Sequence, residues 1–379
     1  MSTATRKSPL TDWTVLVPVV ALVALVFSWG RELPSLGVAL VALCLAGAVL
    51  AAVHHAEVVA HRVGEPFGSL VLAVAVTVIE VALIVTLMID GGDKTASLAR
   101  DTVFAAVMIT CNGIVGLSLF VGALRNRVAV FNPEGSGAAL ATVATLATLS
   151  LVLPTFTTSK PGPEFSTAQL TFAAVASLAL YGLFIAVQTV RHRSYFLPVE
   201  SARPTGSAGA DGGADGDGDG DHEAERPTPR AALISVGLLL VALVAVVGDA
   251  KSVSPTIEKG VAEAGLPNAV VGVIIALLVL LPETLAAVRA ARRDRVQTSL
   301  NLAYGSSIAS IGLTIPAIAL ASIWLSGPLL LGLGPTHMVL LALTVVVSAL
   351  TIAPGRATLL QGGVHLVVLA AYLFLAVSP

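Results

Sequence analysis

Hydrophobic residues run along this chain in long unbroken blocks, not in the period-2 alternation of half-buried strands or the heptads of a coiled coil. Taking about 20 apolar residues as the length that crosses a bilayer, the blocks predict eleven membrane helices. They lie near 13–29, 35–56, 67–89, 102–123, 138–155, 167–189, 231–249, 268–288, 299–324, 336–353 and 358–377. The polar positions between them test this count, because Lys and Arg collect on the cytoplasmic side of membrane proteins. With the N-terminus inside, fifteen basic residues fall on cytoplasmic segments and six outside, the six being Arg31, Lys94, Arg100, Lys160, Lys251 and Lys259. That asymmetry supports eleven spans, with the N-terminus inside and the C-terminus outside.

Composition turns this pattern into a class. Hydrophobic residues make up 56% and charged residues 12% of the 379, against roughly a quarter charged in soluble domains. The chain is therefore expected to be an all-α polytopic membrane protein. The net charge of −2 carries no signal for nucleic acid. Cys44 and Cys111 both fall inside apolar blocks, so neither a disulfide nor a thiolate metal site is expected. Arg6 and Lys7 before the apolar run from Trp13 to Phe27 resemble a signal peptide, but no small-residue cleavage site follows in Ser28 to Glu32. This run is read as an uncleaved first span.

The largest break lies between the sixth and seventh blocks, where Pro198 to Pro229 turns to Gly, Asp, Ala and Pro. Such a composition cannot bury a core and is expected to be a disordered cytoplasmic linker. Asp211 to Glu225 holds seven carboxylates and no Lys or Arg. Asp215, Asp217, Asp219 and Gly220 imitate the start of an EF-hand loop, but the twelfth position is Arg226 where the loop requires a bidentate Glu, so a true calcium loop is not expected. The linker reads as a solvated spacer or a weak collector of cations. The expected organisation is an extra helix over 1–30, a five-helix unit over 31–193, the linker over 194–230, and a second five-helix unit over 231–379. Because five is odd, the second unit must enter the membrane from the opposite side.

Two blocks carry one carboxylate deep inside, Glu80 and Glu283. Each is the second helix of its five, the signature of an inverted internal repeat. An ionised carboxylate at the bilayer centre costs roughly 2.5–3.5 kcal/mol on translocon scales, so two in matching places imply a use. Glu80 lies about 13 and Glu283 about 15 residues into its helix, roughly 20–23 Å along the axis, which brings both near the midplane from opposite faces. Pro282 cannot donate to the carbonyl of Leu278, leaving an oxygen free one turn before Glu283. Thr77 offers a hydroxyl three residues before Glu80. The following helices add Asn112, Gly113 and Gly116 in one half and Gly305, Ser306 and Ser307 in the other; these fit either ligation or close helix packing. The pattern suits a transporter with a midplane ion site. An intramembrane metal-dependent enzyme has no reason to duplicate a carboxylate across inverted halves, and a passive channel would prefer a continuous polar pore.

With these residues in view, the chain resembles the calcium/proton antiporter (CAX) family of the cation/Ca2+ exchanger superfamily. Ala56-Glu57-Val58-Val59-Ala60-His61-Arg62-Val63-Gly64-Glu65-Pro66-Phe67-Gly68, running on to Glu80, resembles the first repeat motif. Gly265-Leu266, Gly272, Glu283, Gly305-Ser306-Ser307 and Ile315-Pro316 resemble the second. The run LNLAYGSSIASIGLTIP and the GEPFG start are most similar to the bacterial ChaA-type branch, associated with Ca2+/H+ and with Na+ or K+/H+ exchange. The resemblance implies Glu80 and Glu283 as the cation and proton ligands; the residues around them offer Thr77, Asn112, Leu278, Gly305, Ser306 and Ser307 as candidate supporting ligands. It also implies a bacterial inner membrane. The family commonly places an Asn three residues before each key Glu; here Thr77 and Leu280 stand there. Asp249 lies near the position that would match Glu57, with longer spacing to Gly265.

A second group, His54, Glu57 and His61, falls on one helical face at i, i+3 and i+7, continued by Glu65. It reads as interfacial capping, as a pH sensor, or as a metal site, with Asp249 as a further candidate for cytoplasmic access. The expected partners are inorganic cations, protons and the lipid bilayer, with no nucleic acid and no cofactor beyond the transported Ca2+ or other cation and H+. The sequence is compatible with a monomer or a homo-oligomer.

Overall fold

The structure, a computed structural model, describes residues 12–31, 33–64, 67–91, 95–199, 227–267, 269–324 and 327–378. Glu65 and most of the linker, including Asp211 to Glu225, lie outside them. The apolar blocks become helices α1 (Trp13–Ser28), α2 (Ser35–Val63), α3 (Phe67–Gly91), α4 (Leu98–Met108), α5 (Val115–Asn126), α6 (Pro133–Ala147) and α7 (Thr167–Ala186) before the linker. After it come α8 (Pro229–Glu263), α9 (Ala269–Val279), α10 (Leu281–Arg292), α11 (Val296–Ala321), α12 (Pro335–Ile352) and α13 (Leu359–Val377). Their starts carry local signals. Ser166 with Gln169 and Thr358 with Gln361 form capping boxes, and Asn132 and Thr228 cap helices that have Pro in the first turn, where its missing N–H costs nothing.

Three helices continue through π-turns, Ile109–Ile114 joining α4 to α5, Thr148–Val152 after α6 and Val187–Arg191 after α7. Counting through these turns, nine helices among the described residues are long and apolar enough to cross a membrane. This is an integral, multi-pass, all-α membrane protein. Two predicted spans differ in form. The block over 268–288 is broken: α9 and α10 meet at Leu280 at a bend of 51°, because Pro282 removes a backbone donor and clashes with the preceding turn. Counted as one crossing, the pair makes ten. The block over 231–249 extends as helix to Glu263, with Pro255 inside it, and α2 packs along α8. α1, at 16 residues or about 24 Å, is shorter than the hydrocarbon core of about 30 Å.

Contacts between loops sort the helix ends onto two faces. On one, the ends of α5 and α10 meet through Arg125 and Asn126, which donate to the Arg292 carbonyl and to Asp294. Asn132, before α6, donates its N–H to Gln297 of α11, and a two-stranded antiparallel ladder (β1, Ala129–Val130; β2, Arg356–Ala357) ties the α5–α6 turn to the α12–α13 turn. This ladder was not legible as strands in the sequence. Arg125, Arg127, Arg191, Arg193, Arg289, Arg292, Arg293 and Arg356 are all exposed near this end. On the opposite face, Arg100 reaches the Gly332 carbonyl and the Leu333 N–H donates to Leu151.

Packing is reciprocal between the two halves. α3 lies on α11 while α9 and α10 lie on α4 and α5; α7 lies on α11 while α13 lies on α5. α2 packs along α8, with α1 beside both. Small residues permit the closest approach: a Cβ at Gly272 would sit 3.0 Å from the backbone of Asp101 and Thr102, so any side chain there would push α9 and α4 apart by a few tenths of an ångström.

Candidate functional site

Glu80, which is buried, and Glu283, which is half-buried, share one cavity. It encloses about 230 Å³ and is walled by α3, α7, the α9–α10 break and α11. α11 supplies Thr298, Asn301, Leu302, Gly305, Ser306, Ala309 and Ser310, a single face at the i, i+3, i+4, i+7 spacing of a helix. α3 supplies Leu72, Ala73, Val76, Thr77 and Glu80 in the same way. α3 and α11 start, and α7 ends, at the arginine-bearing face, and the lining residues of these three helices run from the half nearest that end to about the helix midpoint, where Glu283 joins them from the first turn of α10. The cavity therefore reaches from the depth of the glutamates toward that face. Beyond it, Leu83, Ile84 and Leu87 of α3 and Ile311 and Ile315 of α11 are buried and close the other side.

Glu80 is 4% exposed, and its Oε1 accepts a hydrogen bond from the Ser310 hydroxyl at 2.8 Å. Thr77, one turn earlier, is buried and lines the same wall. Glu283 occupies the third position of α10, in the first turn after the break, where the partial positive charge of a helix N-terminus favours an anion. Its Oε2 has no hydrogen-bond partner. Both Glu57 and Glu80 lie within electrostatic range of Glu283. No Lys or Arg lines the cavity among the described residues.

The other candidates divide. Gly305 and Ser306 line the cavity; Ser307 does not, being fully buried with an unpartnered hydroxyl. Leu278 also lies outside the lining and packs with the α2–α3–α8 cluster, while Val279 and Leu280 form the wall. The Leu280 carbonyl accepts from both the N–H and the hydroxyl of Thr284, at 2.9 and 2.7 Å. Asn112 is turned away from the cavity. Its amide donates to Thr344 at 2.9 Å and its oxygen accepts from His365 Nδ1 at 3.2 Å, while His365 Nε2 faces the Thr351 hydroxyl at 3.3 Å. This network joins the first π-turn to α12 and α13.

The histidine group does not assemble as a metal site. Among the described residues no three His, Cys, Asp or Glu side chains converge. His54 packs against Trp13 and His55, and His61 is exposed. One-turn spacing aligned His54, Glu57 and His61 on a face, but His54 follows its aromatic neighbours and His61 is exposed. The neighbouring His55 is the one built into the fold: its Nε2 lies 2.9 Å from the Thr14 carbonyl and its Nδ1 3.3 Å from Ser235, joining α1, α2 and α8. Asp249 is 0% exposed within α8, with both oxygens unpartnered. It does not line the cavity.

Five polar wall residues are not singled out by the sequence: Ser310, Asn301, Thr298, Tyr181 and Gln188. Ser310 follows Ser306 by one turn, a signal that was present. Gln188 is an amide near the end of an apolar block, which looks like an interfacial residue until the helices are assembled.

Chemically, the site holds two carboxylates in a largely apolar cavity with no fixed cation to neutralise them. Low dielectric makes their joint ionisation costly unless protons or a metal cation compensate. Comparison with known proteins places this arrangement. The sodium/calcium exchanger protein family profile matches residues 33–190 and 234–378. The chain is 44% identical to the candidate ionic transporter y4hA of Sinorhizobium fredii, over 99% of this chain and 98% of that one. It is 35% identical to the sodium-potassium/proton antiporter ChaA of Escherichia coli, over 96% and 95%. Among solved structures it shares the fold of the H+/Ca2+ exchanger CAX, with a TM-score of 0.66 at 16% identity, covering 95% of this chain and 86% of that one. The chain belongs to the sodium/calcium exchanger protein family, whose members are transporters and not enzymes.

Proposed function

We propose that this protein is a secondary cation/proton antiporter that moves Ca2+, or Na+ or K+, against H+ by alternating access around Glu80 and Glu283. The observation that carries this reading is the pair of carboxylates in one cavity without a basic partner. Two protons, or one divalent cation, make the loaded site neutral; a monovalent cation does so with one glutamate still protonated. A neutral site can cross between faces, and an empty dianionic one cannot, which couples the two fluxes. The carboxylates act as a pair, so their proton uptake belongs to both.

The reciprocal packing of the two halves supports five-helix inverted repeats behind one extra helix, the architecture in which alternating access comes from rocking one set of helices against another. The arginine-rich face supports a cytoplasmic N-terminus and a cavity open to the cytoplasm, in a bacterial inner membrane. The inward proton gradient then drives cation export. Amides do not stand three residues before the glutamates, as the CAX pattern has them, and 35% identity to an antiporter named for sodium and potassium keeps the monovalent ions beside Ca2+.

The test is exchange in everted membrane vesicles, comparing Ca2+, Na+ and K+ under an imposed pH gradient. Cation-dependent collapse of the gradient is expected. A gradient that none of the three ions dissipates removes the reading, and a cation flux that runs without proton movement replaces antiport with a channel.

A further inference from the structure

The geometry points to α7 as a third ligand wall: Gln188 and Tyr181 contribute neutral oxygens to the transported cation, Gln188 near the cavity mouth and Tyr181 at the depth of the glutamates. This rests on the exchange reading above and adds residues to its site.

Of the polar side chains of α7 and its π-turn, Gln169, Thr171, Ser177 and Thr189 each have a protein partner: Ser159, the Thr167 carbonyl, Ser150 and the Ile185 carbonyl. Thr167 and Arg191, at the two ends, are exposed. Gln188 has no partner among the described residues, and the Tyr181 hydroxyl is buried without one. Gln188 and Tyr181 line the cavity, seven residues apart on the face that also presents Phe184 and Ile185. A buried hydroxyl without a partner costs roughly 1–3 kcal/mol, so a chain that keeps Tyr181 there has a ligand or ordered water for it.

Depth follows from the antiparallel packing of α7 on α11. A Cβ at Gly312 would lie 2.8 Å from Tyr181 Cβ, which sets Tyr181 close to the level of Ser310, the partner of Glu80. Gln188 lies about 10.5 Å further along its helix, toward the mouth. At its level the wall of α11 opens at Gly305, where an added Cβ would meet nothing within 4 Å. The π-turn Val187–Arg191 supplies the aim: widening the helix by one residue rotates the side chains that follow, a device common at functional sites.

Chemistry supplies the reason. Hard cations take oxygen ligands, six to eight for Ca2+. The two glutamates, with Thr77 and Ser306, supply few, and Ser310 already donates to Glu80. An amide oxygen lowers the dehydration cost of the entering ion, and it takes up no proton. Gln188 therefore contributes to cation affinity equally at every pH, in contrast to the glutamates, where protons compete.

The experiment is reconstituted exchange with Gln188→Ala, Gln188→Asn and Tyr181→Phe, measuring KM and maximal rate for Ca2+, Na+ and K+ at two pH values. Gln188→Ala should raise the KM of the transported cation about tenfold, the size of one lost ligand contact, by the same factor at both pH values and with maximal rate nearly unchanged. Gln188→Asn, which keeps an amide, should recover part of the loss. Tyr181→Phe should raise KM without altering proton competition. Unchanged KM in Gln188→Ala overturns the role of Gln188, as does a KM change that varies with pH; unchanged KM in Tyr181→Phe overturns that of Tyr181. Should Gln188→Ala fail to insert, Gln188→Asn decides on the same readout. A wild-type protein without exchange removes the underlying function, and is thereby distinguished from failure of this inference.

Discussion

Replacing Glu283 by Gln removes a charge from the cavity while changing almost nothing else. The side chains are nearly the same size, and Glu283 Oε2 has no hydrogen-bond partner to lose. Glu80 keeps its bond from Ser310 at 2.8 Å. The folded protein should therefore be as stable as the wild type or slightly more so, since one half-buried ionisable group in an apolar cavity has become neutral. Transport should respond in the opposite way. With one carboxylate left, a bound divalent cation makes the site net positive in low dielectric, and an uncompensated buried charge costs several kcal/mol. Taking about 3 kcal/mol, occupancy of the divalent-loaded form falls by more than about 100-fold, and Ca2+/H+ exchange falls with it. A single proton or a single monovalent cation still neutralises Glu80, so any residual activity should be monovalent exchange. The assay is proteoliposome flux of each ion under a fixed pH gradient, with thermal unfolding in detergent as the control for folding. Wild-type Ca2+ exchange in Glu283→Gln, with an intact unfolding transition, would refute the charge-balance argument.

Raising the proton concentration on the cation-binding side should raise the apparent KM for the cation and leave the maximal rate, because both compete for the same oxygens; purely non-competitive inhibition in a flux titration contradicts a shared site. Deleting Asp211 to Glu225 should shift apparent cation affinity modestly and leave maximal flux, since seven clustered carboxylates concentrate cations without coordinating them tightly; loss of all transport in a correctly inserted deletion would mean the segment gates or supports the fold. Asn112→Ala should destabilise the protein by about 1–3 kcal/mol, the cost of unpairing buried partners, here His365 and Thr344, while exchange persists at permissive temperature; thermal unfolding of the variant beside a flux assay checks both halves of the expectation.

Much of the molecule followed from sequence because the bilayer imposes a one-dimensional rule. A backbone without water must satisfy itself within a helix, so the apolar blocks had to become helices, and charge asymmetry between loops sorted their ends. Glu80 and Glu283 stood out for the same reason: a carboxylate in hydrocarbon is costly wherever the helix packs. What sequence left undecided was which faces meet. Thr77, Gly305 and Ser306 reach the cavity, whereas Asn112 and Ser307 lie on faces turned to other helices, because a rotation of about 100° per residue makes neighbours in sequence strangers in space. Pro282 announced a missing donor at Leu278, and the chain breaks at Leu280 and places Glu283 in a new first turn, an outcome that the missing donor alone does not specify. His54, Glu57 and His61 shared a face by period, but His54 packs against Trp13 and His55 while His61 is exposed. The α7 wall appeared only in three dimensions, since an amide two turns from a tyrosine gives no sign of facing a cavity until α11 is laid against it.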